Sequence, residues 1–263
     1  MLKIRKEQIG FFRQAVLRNF ENNMIQHLQE FSPKHSQALG EDGVRNVVRL
    51  GVKRAEKYGL TNRGPVRFYI ELMFMLGSYF DTDCQFPWAS RILADPEIAD
   101  QTARADCLFD KAMDYVEKVA GPNRKYAKES LSRACRQSFK DLREIRGGQE
   151  TDILSRLKMN FPQKCQYVGD QALRSLVKHG TELAQKFSVS SDAGVILFVC
   201  FMFMLGHGFA ADPQYPWCEM TLNNENISDP NKRIERLYSK SITYITNVLA
   251  SDGGRRDHVV VHY

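Results

Sequence analysis

Apolar residues recur at helical spacing from the start of the chain. Ile9, Phe12, Val16, Phe20, Met24 and Leu28 mark one face of an uninterrupted stretch from Ile4 to Phe31, which predicts one long amphipathic helix. Ser32-Pro33 should end it, because a residue before proline is pushed out of helical geometry. Beyond Gly40 a second helix is expected to run to about Tyr58, with Val44, Val47, Val48, Gly51 and Ala55 on its inner face. Val66 to Leu76 is the first of two very apolar stretches, with Thr61 as its expected cap and Gly77 as its stop. A short helix should open at Pro87-Trp88, and a last one at Asp100, with Leu108, Met113, Tyr115 and Val119 facing inward.

The same order then returns. Shifting the chain by 129 residues aligns Met24–Val119 with Ile153–Val248 without a gap, and 28 of 96 positions are identical. MFMLGSYFDTDCQFPW at Met73–Trp88 is answered by MFMLGHGFAADPQYPW at Met202–Trp217. Gly180 answers Gly51, Ser190 or Ser191 answers Thr61, Gly206 answers Gly77 and Asp229 answers Asp100. Leu237, Ile242, Tyr244 and Val248 answer the inner face of the last helix. The pattern therefore predicts an all-α protein, an internally duplicated helical bundle of two similar units about an approximate two-fold axis. Residues 1–122 form the first unit, 123–250 the second and 251–263 a flexible tail, whose HVVVHY at His258–Tyr263 favours a terminal strand.

Gly121-Pro122 marks the boundary, after which Lys125 to Ile145 reads as one helix. Leu131, Ala134, Ser138, Leu142 and Ile145 share a side, while Arg133, Arg136, Lys140 and Arg143 form a basic stripe opposite. Composition sharpens this point. The net charge of +6 divides into +1 for residues 1–123, +5 for 124–147 and 0 for 148–263, so nearly all the excess lies between the repeats. This stripe, together with Val259, Val260 and Val261 of the tail, is the expected partner-binding set. The valines would act by adding a strand to another protein's sheet, against the alternatives of a disordered terminus or of strand pairing within a homo-oligomer.

With 43% apolar and 26% charged residues the chain is an ordinary globular one. Its longest apolar run, Val195–Leu205, spans 11 residues, short of the roughly 20 that cross a bilayer as a helix. The amino terminus lacks a signal-peptide core, and the six cysteines form no CxxC pair, which together suggest the cytoplasm. Nucleotide-binding and serine-hydrolase motifs are missing, and the six histidines have no metal-ligand spacing, so no metal, cofactor or nucleic acid is expected. Asp83 and Asp212 with His207 are the one acid/imidazole combination beside a tryptophan turn. Aspartates in such turns more often bond backbone amides, and His207 aligns with Ser78, so a structural role is expected for them and no enzymatic one.

Three stretches carry a resemblance: NFENNMIQHLQEFSPKH, GVKRAEKYGLT and FDTDCQFPWA. They resemble an uncharacterised bacterial family that combines NFENxM…HLxxFxPxH, GVxRAxxYGLT and FDTD…PWA. Such proteins look like small cytoplasmic helical companions encoded beside spike and adaptor genes of type VI secretion systems. The resemblance implies a non-enzymatic adaptor or chaperone-like protein that binds an effector or spike component. Its alternatives are an immunity protein for a co-encoded toxin and an effector with an unrecognised active site. The second repeat, with FAADPQYPWC, departs from the pattern.

Overall fold

The structure, a computed structural model, describes residues 6–144 and 149–249. Every regular element among them is helical. In chain order these are α1 (Lys6–Phe31), α2 (Pro33–Glu56), α3 (Arg63–Leu76), α4 (Pro87–Ala94), α5 (Gln101–Tyr115), α6 (Lys125–Arg136) and α7 (Phe139–Arg143). They continue with α8 (Glu150–Asn160), α9 (Pro162–Val168), α10 (Asp170–Lys186), α11 (Asp192–Leu205), α12 (Pro216–Leu222) and α13 (Pro230–Tyr244). All-α is therefore the fold class.

The two most apolar helices form the centre. Tyr69, Ile70, Leu72, Met73 and Phe74 of α3 are buried, as are Phe198, Val199, Phe201 and Phe203 of α11. Each such side chain contributes roughly 1.5–3 kcal/mol when fully removed from water, so these helices dominate the core. α2 packs across α3, and α10 across α11, at a glycine. A Cβ on Gly51 would lie 2.5 Å from Ile70 Cγ1, and one on Gly180 would lie 2.6 Å from Val199 Cγ2. Asp100 and Asp229 cap α5 and α13 as expected, accepting from the amides of Ala103 and Asn231. Both helices then widen into a π-helical turn, Val116–Ala120 and Ile245–Leu249, which buries Val119 and Val248.

Several boundaries differ from the periodicity. Helix begins again directly at Pro33, and Gly40, with φ of 70°, puts a break within α2 instead of preceding it. Thr61 is not the cap of α3. Asn62 occupies that position without a side-chain bond, and Gln101 holds Thr61 through its amide and hydroxyl. The expected single helix from Lys125 to Ile145 is two, because Gln137 is extended and Ser138 starts α7. There Ser138 and Asp141 form a capping box, each side chain accepting the other's amide. Ile145 and the terminal strand lie outside the described residues. Along α1, Met24 and Leu28 are buried and Phe20 half-buried, but Phe12 and Val16 of the same predicted face are exposed.

A reciprocal junction and an uncovered apolar groove

α3 and α11 end on glycines with the same dihedral, Gly77 and Gly206, both at φ of 96°. These glycines pack back to back. A Cβ on Gly77 would stand 2.6 Å from the carbonyl oxygen of Leu205, so only glycine fits there by both conformation and space.

Side chains then cross the junction in both directions. Asp212 accepts the amide of Ser78 at 2.8 Å and its hydroxyl at 2.6 Å, while Asp83 accepts the amide of His207 at 2.8 Å. Each carboxylate also accepts a backbone amide of its own turn, Gln214 for Asp212 and Gln85 for Asp83, both at 2.9 Å. Gln85 Nε2 donates to the carbonyl of Met202 at 3.0 Å, and Gln214 Nε2 to that of Met73 at 2.8 Å. The glutamines thus reach carbonyls near the end of the opposite central helix.

The two acids differ electrostatically. Burial pushes Asp212 up to about 6, against the pull of Ser78. Burial also opposes ionisation of Asp83, but His207 and the amides outweigh it and hold Asp83 below the usual carboxylate range. His207 Nδ1 stands 3.3 Å from Asp83 Oδ2, an ion-pair distance without good hydrogen-bond alignment. The acid/imidazole pair thus forms with Asp83 across the junction. Its carboxylate is 3% exposed at residue level and saturated with amide bonds, an arrangement that positions backbone and leaves little room for a reacting group.

Two buried titratable groups flank the junction at positions 129 apart, and periodicity did not reveal either. His35 contacts Gln214 Oε1 through Nε2 at 3.1 Å and the Tyr244 hydroxyl through Nδ1 at 2.6 Å. Because the Gln214 amide nitrogen donates elsewhere, its oxygen must accept. His35 therefore carries its proton on Nε2, and Tyr244 donates to Nδ1. Burial pushes His35 down to about 4, consistent with a neutral ring. Lys164 is the counterpart. Its ammonium bonds the carbonyl of Phe203 in the last turn of α11, 4.4 Å from the Phe203 ring centroid and 5.8 Å from that of Phe86. Burial pushes Lys164 down to about 7, partly countered by Asp83.

A third polar group exists in the amino-terminal half alone. Arg54 pairs with Asp81 in the interior, Tyr58 donates to Asp81 at 2.8 Å, and the Arg54 guanidinium lies 4.6 Å from the Tyr79 ring centroid. Burial, with Asp81 beside it, pushes the Tyr58 hydroxyl up to about 12. Arg54 and Tyr58 come from GVKRAEKYGLT and Asp81 from FDTD, so two of the stretches that carry the resemblance meet here. At the corresponding positions the other half has Leu183, Phe187 and Ala210.

The expected basic stripe does not stay together as one face. Arg133 turns inward, donating through Nε to the carbonyl of Asn160 at 3.0 Å and through Nη2 to Ser130 at 2.9 Å, and so ties α6 to the end of α8. Arg136 is exposed on α6, while Lys140 and Arg143 are exposed on α7 beyond the break. Val259, Val260 and Val261 lie outside the described residues.

The surface offers a different feature. Phe11, Phe12, Val16 and Leu17 of α1 are 77%, 66%, 69% and 42% exposed, a run of large apolar side chains that water normally disfavours. Beside them a groove of about 610 Å³ is lined by Phe12, Val16 and Leu17 of α1, Val52 of α2, and Leu60 and Val66. The sequence held a signal for it. The apolar face of α1 continues from half-buried Phe20 through Val16 to Phe12, about two turns past its buried part, and which part stays uncovered is visible only once α2 and α3 are in place.

Among the described residues no group of three His, Cys, Asp or Glu side chains is placed to hold a metal ion, and no helix is long and apolar enough to cross a membrane. No family model matches the chain, and no curated protein or solved structure matches it significantly.

Proposed function

We propose that this chain is a non-enzymatic adaptor or chaperone-like protein that holds a protein partner. The single observation that carries this reading is the apolar groove beside α1, where Phe12, Val16 and Leu17, with Phe11 next to them, face water on the same helix that buries Met24 and Leu28 in the core. A basic surface alone would mainly tune association rate, whereas an apolar patch supplies the burial that a lasting complex needs. The proposed architecture, two similar units about an approximate two-fold axis, supports a scaffold role. Asp83, Gln85, Asp212 and Gln214 of its interior join the ends of α3 and α11.

The resemblance of the three amino-terminal stretches directs the proposal to type VI secretion, with an effector or spike component as partner and the cytoplasm as the place of action. Affinity purification of the tagged full chain from its native cells tests it. Co-elution of a secretion spike component or effector is the expected result. A chain that emerges alone at low and at high salt sinks the adaptor reading, and protection of cells from a co-encoded toxin replaces it with an immunity role.

A further inference from the structure

Resting on the adaptor reading, we infer that the groove beside α1 receives an acidic amphipathic helix of the partner protein. The chain's own carboxy-terminal half shows how an apolar face beside its central helix is covered. There the segment before α8 breaks at Gln137, and the short helix α7 folds onto α11 with Leu142 buried. Phe139 of α7 sits 5.4 Å from Tyr238 of α13, centroid to centroid. In the amino-terminal half the corresponding segment stays in α1 as continuous helix, and Phe109, the counterpart of Tyr238, is 48% exposed. Two apolar residues three apart on a short helix are thus the element that covers one half and that the other half lacks among the described residues.

Charge selects the flanks of that helix. Basic α7, with Lys140 and Arg143, belongs to a half that carries Glu182 and Asp192. The positions 129 residues earlier are Lys53 and Arg63, so the sign is reversed. Arg63 lines the groove itself, and Arg18, Arg49 and Lys53 line the depression that adjoins it. Glu21, the buried acid there, is already engaged by Arg45 and Arg49. Glu56 is the remaining acid of the rim, which leaves an excess of positive charge for an acidic helix to meet.

The test uses the full chain and two short fluorescein-labelled helical peptides. Both carry phenylalanine and leucine three residues apart, one with glutamates on the remaining surface and one with lysines. Fluorescence anisotropy should show saturable binding of the glutamate peptide and at least about tenfold weaker binding of the lysine peptide. Val16→Asp should weaken the glutamate peptide by about tenfold or more, and K53E/R63E should invert the preference. Val16 is exposed, so circular dichroism should be unchanged and a folding defect is separable. Absence of saturable binding, or binding indifferent to Val16→Asp, overturns the inference. So does a dimer in light scattering that Val16→Asp splits, which would give the groove to a second copy. Peptide binding that requires removal of residues 250–263 would give it to the chain's own tail, and overturns it too. A spike component or effector that co-elutes equally with Val16→Asp would leave the adaptor reading standing while this inference fails.

Discussion

Asp212 accepts both the backbone amide and the hydroxyl of Ser78, at 2.8 and 2.6 Å, so the turn after α11 secures the turn after α3. Asp83 does the same for the amide of His207 at 2.8 Å. The helices that bury the most apolar surface are thereby fixed at their carboxy-terminal ends, where unsatisfied backbone groups would otherwise be costly.

Asp212→Asn should destabilise the fold by about 1–3 kcal/mol, since an amide nitrogen replaces one acceptor and faces the amide donors. Asp83→Asn should cost a similar amount. Urea unfolding measures both, and a midpoint unchanged from the parent for Asp212→Asn would remove the junction's claimed role.

Gly77→Ala should be worse than an ordinary glycine replacement. The new Cβ meets the Leu205 carbonyl oxygen at 2.6 Å, and φ of 96° strains any side chain there. A loss of about 3 kcal/mol is expected from strain and overpacking together. Gly64→Ala is the control, because its added Cβ meets open space. Equal thermal midpoints for the two variants would contradict the close approach.

Arg54 and Asp81 should be coupled. Asp81→Ala leaves a buried guanidinium without its carboxylate and should cost about 3–5 kcal/mol. The double change Arg54→Leu with Asp81→Ala copies the residues of the other half, Leu183 and Ala210, and should recover much of that loss. Additive losses in a double-mutant cycle would show that the pair does not act as a unit.

Lys164 predicts a pH dependence. Its folded pKa of about 7 lies below the ordinary 10.5, so the unfolded chain binds more protons between those values and stability rises with pH across that window. The burial penalty is complete below about pH 7 and is lost as the unfolded lysine deprotonates, with a limiting slope of about 1.4 kcal/mol per pH unit. Lys164→Met should flatten this slope. Denaturant titrations of both proteins from pH 6 to 10 check it, and parallel curves would mean that Lys164 keeps its charge in the folded state at ordinary cost.

Local rules were legible in the residues themselves. The spacing of Val66–Leu76 and Val195–Leu205, the stops at Gly77 and Gly206 and the caps at Asp100 and Asp229 each depend on neighbours within a turn or two, so periodicity and capping chemistry suffice. The turn aspartates were also expected to bond backbone amides. That one of those amides belongs to the opposite turn was not, because partners 124 and 134 residues away meet only after both central helices pack. Burial of Lys164 and neutrality of His35 likewise follow from what surrounds them rather than from their own segments.

The break at Gln137 shows the same division. Lys125 to Ile145 has a helical pattern, but Leu142 becomes buried and Phe139 reaches Tyr238 after the chain bends there, so packing overrides periodicity. The uncovered face of α1 is the converse. Phe12 and Val16 continue the apolar stripe of Met24 and Leu28, and the sequence alone established that stripe and the helix that carries it. Which part would be buried was decided by how closely α2 and α3 pack against α1, since burial depends on the neighbours a helix meets and a hydrophobic pattern records only what it could bury.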